Sequence, residues 1–574
     1  MKLAKVVIFC LPLLTGSVSR VWAGESDIPK LPTNVDNLRN LGSAQQLLSQ
    51  PGNTQLLLSQ GVEYSLTPLQ LFPPAPMTVE TANILPSKAV YTTYGTHVYS
   101  LFGDVPGIGL QVYNGSIDWG VTDNFQAGLA LSFFDDILGE PIAGRPTNFG
   151  FFSLAPRLKY RFVREDNYDL AVVASVEWLK ITSENRLFNG GISSRQTNTV
   201  ALSIQVPYTY SFSENTQWHL VGGLNIFPET INDGGDFYGT FFNLGTGVSI
   251  RLHDRFGLFA DVNIPIGPGH NSVDANGRLE RSAVWSAGLS YIHSPSVAVD
   301  LSVTNRLGTT PATRLLAFPT RGDDVALGLN VRYTPDIFVD YPPSFASTPL
   351  PPLTGRDKQL LFDGITLTTA DTLRQGTFFV DTGLRPNFNI QVAYGMSDDA
   401  QLEFIGQQLS DSKKPIGNSF KFGGATKLRF LDQARGDAFS FSIRGAFLEA
   451  SEGDTDGVGA FSAEGIFSYS PTSQLALFLN PKGGFFGNNR LVGLGLGVNF
   501  QPSPGLQFLG EVTPMLSNDA TVWAIGARYF SSNGNMGIGL YGTNAAASGN
   551  IGSMLARKNN DFTLGFNFMW LFGH

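Results

Sequence analysis

Arg157, Lys159 and Arg161 occupy every second position of Arg157-Leu158-Lys159-Tyr160-Arg161-Phe162, and Lys427 and Arg429 do the same in Lys427-Leu428-Arg429-Phe430. In an extended strand successive side chains point to opposite faces, so each run has one cationic and one apolar face. Arg251, Arg332 and Arg444 fall on the same side of the alternation in their own segments, with the acids Glu177, Asp261 and Glu511 among them. A lining of this kind around an enclosed aqueous space concentrates anions and repels cations. The chemistry it suggests is electrostatic selection of small anionic solutes. The competing reading is an ion-pair network that fills a narrow interior and leaves no path. Gly245, Gly247, Gly493, Gly495 and Gly497 share the polar face and leave room there.

Other residues offer less chemistry. The six histidines are scattered, with no pair at metal-ligand spacing on one strand, so neither a metal nor another cofactor is expected. His219 faces the polar side and raises a hydrolytic Ser–His reading, for which the sequence supplies no matching nucleophile. No catalytic residue is assigned. Gly493-Leu494-Gly495-Leu496-Gly497 imitates a nucleotide loop, but Val492, Leu494, Leu496, Val498 and Phe500 hold the strand period and no helix follows.

These side chains need strands to aim them, and the composition supplies strands. The chain has 64 Gly, 44 Phe, 17 Tyr and only 15% charged residues, a balance suited to sheets with an apolar outside. Phe562, Leu564, Phe566, Phe568, Trp570 and Phe572 share one face of the last segment, opposite Thr563, Gly565 and Asn567. Val325 to Tyr333 and Phe242 to Leu252 alternate in the same way.

The N-terminus reads as a secretory signal peptide over residues 1–23. Lys2 and Lys5 precede the apolar Val6 to Leu14, and Val21-Trp22-Ala23 makes a cleavage site. The single cysteine, Cys10, lies inside it, so the mature chain has no disulfide or thiolate metal site. Removing Lys2, Lys5 and Arg20 takes the net charge from −9 to −12, which argues against nucleic acid as a partner.

From residue 89 the chain is duplicated. Trp119-Gly120-Val121-Thr122-Asp123 matches Tyr394-Gly395-Met396-Ser397-Asp398, and Lys159-Tyr160-Arg161-Phe162 matches Lys427-Leu428-Arg429-Phe430. Leu244 to Val248 matches Leu494 to Val498, Val284-Trp285 matches Val522-Trp523, and Asp324 to Asn330 matches Asp561 to Asn567, all in the same order. Each half divides into about twelve strands, with connections alternately tight and long. The organisation expected is a flexible segment at 24–88, a first barrel at 89–335, a Pro-rich linker at 336–371 and a second barrel at 372–574. The segment 24–88 reads as a tail, with a plug or a docking peptide as the sharper alternative. The linker aligns with the segment ahead of residue 89. It is long for a turn between neighbouring strands, so two barrels are expected rather than one wide barrel of about twenty-four strands.

The signal peptide, the aromatic terminal strand Phe562 to Phe572 and the sorted loops resemble those of bacterial outer-membrane β-barrel proteins. The resemblance is to that class rather than to one family, and it covers residues 89–574. It implies an all-β, transmembrane antiparallel barrel set in outer-membrane lipid of a Gram-negative-type envelope. It further implies insertion by the barrel assembly machinery, periplasmic termini, and a porin-like passive channel for small solutes. A structural or partner-docking protein with filled barrels is the alternative, and a membrane hydrolase a further one. The ending Phe572-Gly573-His574 departs from the terminal aromatic residue typical of the class.

Overall fold

The period-two runs form long strands because only a sheet separates their apolar and polar faces. In the computed structural model, residues 55–57 and 63–573 are described, except 100–109, 135–140, 143–144, 147–148, 184–194, 232–234, 320–323, 347–349, 386, 410–419, 451–458, 487–488 and 518. The expected signal peptide lies outside the described residues. No helix among the described residues is long and apolar enough to cross a membrane.

Twelve strands close the first barrel. They are β1 (Val90–Tyr99), β2 (Leu110–Thr122), β3 (Phe125–Phe134), β4 (Gly150–Arg164), β5 (Tyr168–Ser183) and β6 (Arg195–Ser213), then β7 (Thr216–Ile226), β8 (Thr240–His253), β9 (Phe256–Ile266), β10 (Val284–Ser294), β11 (Val297–Thr304) and β12 (Ala326–Tyr333). Closure pairs β12 with β1 antiparallel, Ala326 opposite Tyr99 and Tyr333 opposite Thr92.

A second closed barrel repeats the plan. Its strands are β13 (Phe378–Arg385), β14 (Asn389–Ser397), β15 (Ala400–Gln408), β16 (Phe420–Leu431), β17 (Ser440–Ala450) and β18 (Ala460–Thr472), then β19 (Leu475–Phe486), β20 (Asn489–Ser503), β21 (Leu506–Thr513), β22 (Val522–Phe530), β23 (Met536–Thr543) and β24 (Thr563–Phe572). Phe378 pairs with Phe572 to close it. The single wide barrel is thereby excluded.

Alternation sorts the two faces as the sequence requires. Leu158, Tyr160 and Phe162 on β4 are 52, 50 and 49% exposed, while Lys159 and Arg161 between them are each 8% exposed. Large apolar side chains are likewise exposed along the outer faces of the other strands, among them Leu244, Leu289, Leu496, Ile525, Leu564 and Trp570. The two barrels touch through part of this outer surface. Val297, Val331 and Tyr333 of the first pack against Tyr394, Met396 and Ala400 of the second. The His293 ring contacts the Asp399 carbonyl at 2.8 Å across the same seam.

In the first barrel the tight turns gather at one end and the longer connections at the other; the second follows the same plan except that short connections also follow Arg385 and Phe486 at the far end. The segments ahead of the barrels enter from the tight-turn end. Helix α1 (Pro68–Leu71) begins at Thr67 and α2 (Gly355–Leu360) at Thr354, each with a capping box. The Thr67 hydroxyl donates to the Pro295 carbonyl in the turn between the tenth and eleventh strands, and Lys358 donates to Asn535 at 3.0 Å in the equivalent turn of the second barrel. After each helix the chain dips into the lumen and returns to the same rim. Two expectations are corrected by this. Within 24–88, the residues from 76 to 85 are packed inside the first barrel, below a helix held at its rim, instead of forming a flexible tail. Within the linker 336–371, the residues from 361 onward do the same in the second. Neither stretch shows strand or helix periodicity in sequence, because its backbone bonds to barrel side chains rather than to a ladder.

Candidate functional site

The lumen of each barrel is built around one carboxylate. Asp261 on β9 accepts from the backbone N–H groups of Met77 (2.9 Å) and Thr78 (3.0 Å) and from the Thr78 hydroxyl. Glu511 on the equivalent strand β21 accepts from the N–H groups of Ile365 (2.7 Å), Thr366 (2.6 Å) and Leu367 (3.1 Å) and from the Thr366 hydroxyl at 2.7 Å. An irregular segment in a buried lumen must satisfy its backbone polar groups, and a carboxylate facing two or three N–H groups does so with charge-assisted bonds.

The remaining anchors repeat as well. Ala82 N–H donates to the Thr209 hydroxyl at 2.8 Å, and Ala370 N–H to the Ser468 hydroxyl at 2.9 Å, both on the sixth strand. Leu85 and Leu373 N–H groups donate to Gln126 and Gln401 at 3.2 and 3.1 Å, both on the third strand. On leaving the lumen, Lys88 N–H donates to the Gly120 carbonyl at 2.7 Å and Gly376 N–H to the Gly395 carbonyl at 2.9 Å. Each segment is thus a plug held by its own barrel, and the two plugs share Thr-X-X-Thr-Ala-X-X-Leu from Thr78 and from Thr366.

At the opposite end the loop between the last two strands packs inward against the barrel wall. In the first barrel, Leu307, Leu315, Leu316 and Phe318 pack with Tyr99, Phe134, Phe151 and Phe241. Ala312 N–H donates to buried Glu177 at 2.8 Å. In the second, Ile551, Met554 and Leu555 pack with Ile405, Leu448, Phe486 and Leu491. Plug and loop meet at mid-lumen. Arg314 of the loop pairs with Glu80 of the plug at 2.6 Å, and Arg306 donates to the Met77 carbonyl at 3.0 Å. In the second barrel Lys482 links the two elements, donating to the Thr366 carbonyl at 2.9 Å and the Ser553 hydroxyl at 3.1 Å.

The charges singled out in sequence all have partners. Arg157 pairs with Asp118, its Nε donating at 2.9 Å, and Lys159 lies 3.7 Å from Glu80. Arg161 sits at the tight-turn rim, paired with Asp169 at 3.3 Å and donating to the Asp123 carbonyl at 2.8 Å. Arg251 donates to the Leu69 and Phe72 carbonyls of the first plug. Arg332 pairs with Asp300 at 2.8 Å. Lys427 pairs with Asp363 at 3.6 Å and donates to the Thr369 carbonyl at 3.3 Å. Arg429 holds Asp399 at 3.1 Å and Asp432 at 3.0 Å, with Asp371 of the second plug at 3.9 Å. Arg444 is clamped between Glu403 at 2.7 Å and Glu464 at 3.2 Å. The partners Glu80, Arg306, Arg314, Asp363, Glu403 and Glu464 were not singled out. The repeated Thr-X-X-Thr-Ala-X-X-Leu was the one available signal that this part of the chain is built into the barrels.

His219 lies buried between two hydroxyls, Nδ1 at 3.0 Å from Thr209 and Nε2 at 3.0 Å from Ser249. The place of an orienting carboxylate is thus taken by Thr209, which also receives Ala82 of the plug, so the trio serves the docking of the plug. Among the described residues no group of His, Cys, Asp and Glu could hold a metal ion.

Burial disfavours a charge on Glu80, but Arg314, Lys159 and Arg157 outweigh it, and its carboxyl is held down to about 2 from the ordinary 4.5. With the folded value below the unfolded one, its contribution is complete above about 4.5 and is lost as pH falls from there through about 2. The first plug should therefore stay docked in mild acid and loosen only in strong acid. The equivalent position of the second plug is Thr368, which brings no such transition. Amide hydrogen exchange at Met77 and Thr78 against pH, set beside that at Ile365 and Thr366, checks the difference.

No protein-family model matches the chain, and no curated protein matches it. Solved structures do. The chain is similar to a KdgM porin (8% identity, TM-score 0.26), 42% of it covering 98% of that protein. It is similar to the NanC porin (8% identity, TM-score 0.28), 43% of it covering 99% of that protein. It is also similar to the COG4313 outer membrane channel from Pseudomonas putida F1 (14% identity, TM-score 0.30), 44% of it covering 97% of that protein. With an apolar exterior and a polar interior, the chain is an all-β protein of two closed, twelve-stranded antiparallel barrels, each with its own plug.

Proposed function

We propose that this protein is a plugged outer-membrane channel for small solutes, in which each barrel conducts only while its plug is displaced. The observation that carries the reading is that each plug enters and leaves by one rim. Such a loop can withdraw without threading, and it is held by a short set of hydrogen bonds rather than by a sheet. The exposed apolar outer faces support a lipid surrounding for the strands, since a water-facing surface of that extent would aggregate. The tight-turn end, where the plugs enter, is assigned to the periplasm. The basic lumenal groups Lys159 and Lys427 then set a leaning toward anions once a plug leaves and takes Glu80 or Asp363 with it, while Arg161 and Arg429 keep their barrel partners Asp169 and Asp399 at the rim.

The test is planar-bilayer recording from the refolded chain and from a variant with residues 72–84 replaced by a Gly-Ser linker. The intact protein should show rare, brief openings, and the variant steady steps from the first barrel. Folded, inserted protein that stays silent in both forms would overturn the channel reading. The filled lumens would then support the structural or docking alternative, with the loops at the far end as its surface.

A further inference from the structure

A cavity of about 250 Å³ lies between the first plug, the barrel wall and the inward loop. Asp118, Arg157, Lys159, Arg314, Arg332 and Glu80 line it, with Arg306 and Asp300 beside them. Duplication supplies the comparison that gives these charges meaning. By the matched segments, Asp118 corresponds to Ala393, Arg157 to Ala425, Arg332 to Met569, Arg306 to Ala545, Arg314 to Ser553 and Glu80 to Thr368. The second barrel thus keeps the plug, the anchoring carboxylate, the inward loop and, as Lys427, the counterpart of Lys159, without the other ionic groups. Plugging therefore does not require them, and the first barrel carries them for something else.

Their arrangement points to the occupant. Glu80 is a carboxylate on a detachable segment, seated 2.6 Å from Arg314 and 3.7 Å from Lys159. Nearby donors remain unused: the Nε atoms of Arg306 and Arg314 and the amide nitrogen of Asn114 are buried with no hydrogen-bond partner. These three side chains are 5, 7 and 9% exposed, and all of them line the cavity. Unsatisfied buried donors are costly and call for acceptors. Planar guanidinium groups match a carboxylate best.

We propose that the first barrel holds a binding site for a small dicarboxylate, and that Glu80 is its built-in competitor. A solute carboxylate takes the place of the Glu80 carboxylate on Arg314 and Lys159, and its second carboxylate reaches the unused donors, so binding and the Glu80–Arg314 contact exclude each other. The volume is below the roughly 300–1,000 Å³ of sites for drug-sized ligands, which limits the solute to a few carbons. Only the consequence for opening rests on the channel reading; the site itself does not.

Calorimetric titration of the full chain with succinate, and with the neutral succinamide of equal length, tests the site. Wild type should bind succinate weakly, and Glu80→Gln should bind it at least about tenfold more tightly, since a charge-assisted competitor is gone. Arg314→Met should abolish binding, with heat-resistant migration of the folded barrel as the check on folding. Unchanged succinate affinity in Glu80→Gln, or equal binding of succinamide, would overturn the proposal. Tighter succinate binding in a protein that never conducts would uphold the site and defeat the channel reading. Conductance with succinate affinity indifferent to Glu80 would do the reverse.

Discussion

A chain carrying Asp261→Ala should lose the plug of its first barrel while keeping the barrel itself. The carboxylate accepts two plug N–H groups, the Thr78 hydroxyl and the Ser286 hydroxyl. Its removal orphans buried donors at about 1–3 kcal/mol each, so the plug should leave at least about tenfold more often. The ladder around Asp261 is backbone paired on both sides and does not depend on the side chain. Glu511→Ala should do the same for the second barrel, with a larger effect, because three plug N–H groups and one hydroxyl lose their acceptor. Bilayer recordings should show two distinguishable unitary steps, one from each variant, and both in the double variant. A double variant that never shows two independent open levels would mean that the carboxylates do not act on separate lumens.

Gly120→Ala and Gly395→Ala should disrupt the same plugs by crowding. A Cβ at Gly120 would lie 2.0 Å from the Pro86 carbonyl oxygen and 2.7 Å from that of Leu85. At Gly395 it would lie 2.0 Å from the Arg374 oxygen and 2.9 Å from that of Leu373. The obstructing atoms are backbone, so no rotamer relieves the clash. The returning leg of the plug must move out of its bonds with the second strand, at a cost above the roughly 1–3 kcal/mol of ordinary overpacking. The unfolding temperature of the refolded protein should fall by several degrees in either variant. Gly222→Ala is the control, because a Cβ there meets nothing within 4 Å. A Gly120→Ala protein as stable as the control would show that plug and strand are not in contact at that rim.

Barrel and inward charges were legible in the sequence for one reason: a period of two fixes a face. Lys159 had to point away from the outward-facing Leu158 and Tyr160, and it does. The duplication and the sorting of short and long connections carried the strand count and the division into two barrels. What Lys159 faces was not legible. Its partner Glu80 lies in a stretch without periodicity, and Arg314 reaches that same carboxylate across 234 residues of sequence. Nothing local in either segment specifies the meeting. The Pro-rich stretches read as tail and linker because Pro and polar residues mark chain that forms no ladder. That reasoning was sound for their secondary structure and blind to their location. A plug needs only a few N–H groups aimed at a carboxylate, and such a pattern leaves almost no trace in composition. The repeated Thr-X-X-Thr-Ala-X-X-Leu was the exception: its two copies precede their barrels at equivalent positions and turn out to make equivalent bonds.

The claim on which the account stands is that residues 77–85 and 365–373 lie inside their barrels in the inserted protein. Amide hydrogen exchange of the wild-type chain in lipid nanodiscs measures this directly. The account predicts slow exchange at Met77, Thr78, Ala82 and Leu85 and at Ile365, Thr366, Ala370 and Leu373, each set approaching the protection of the neighbouring strands. Exchange at these amides as fast as in an unfolded peptide, with the strands still protected, would place both segments outside and contradict it.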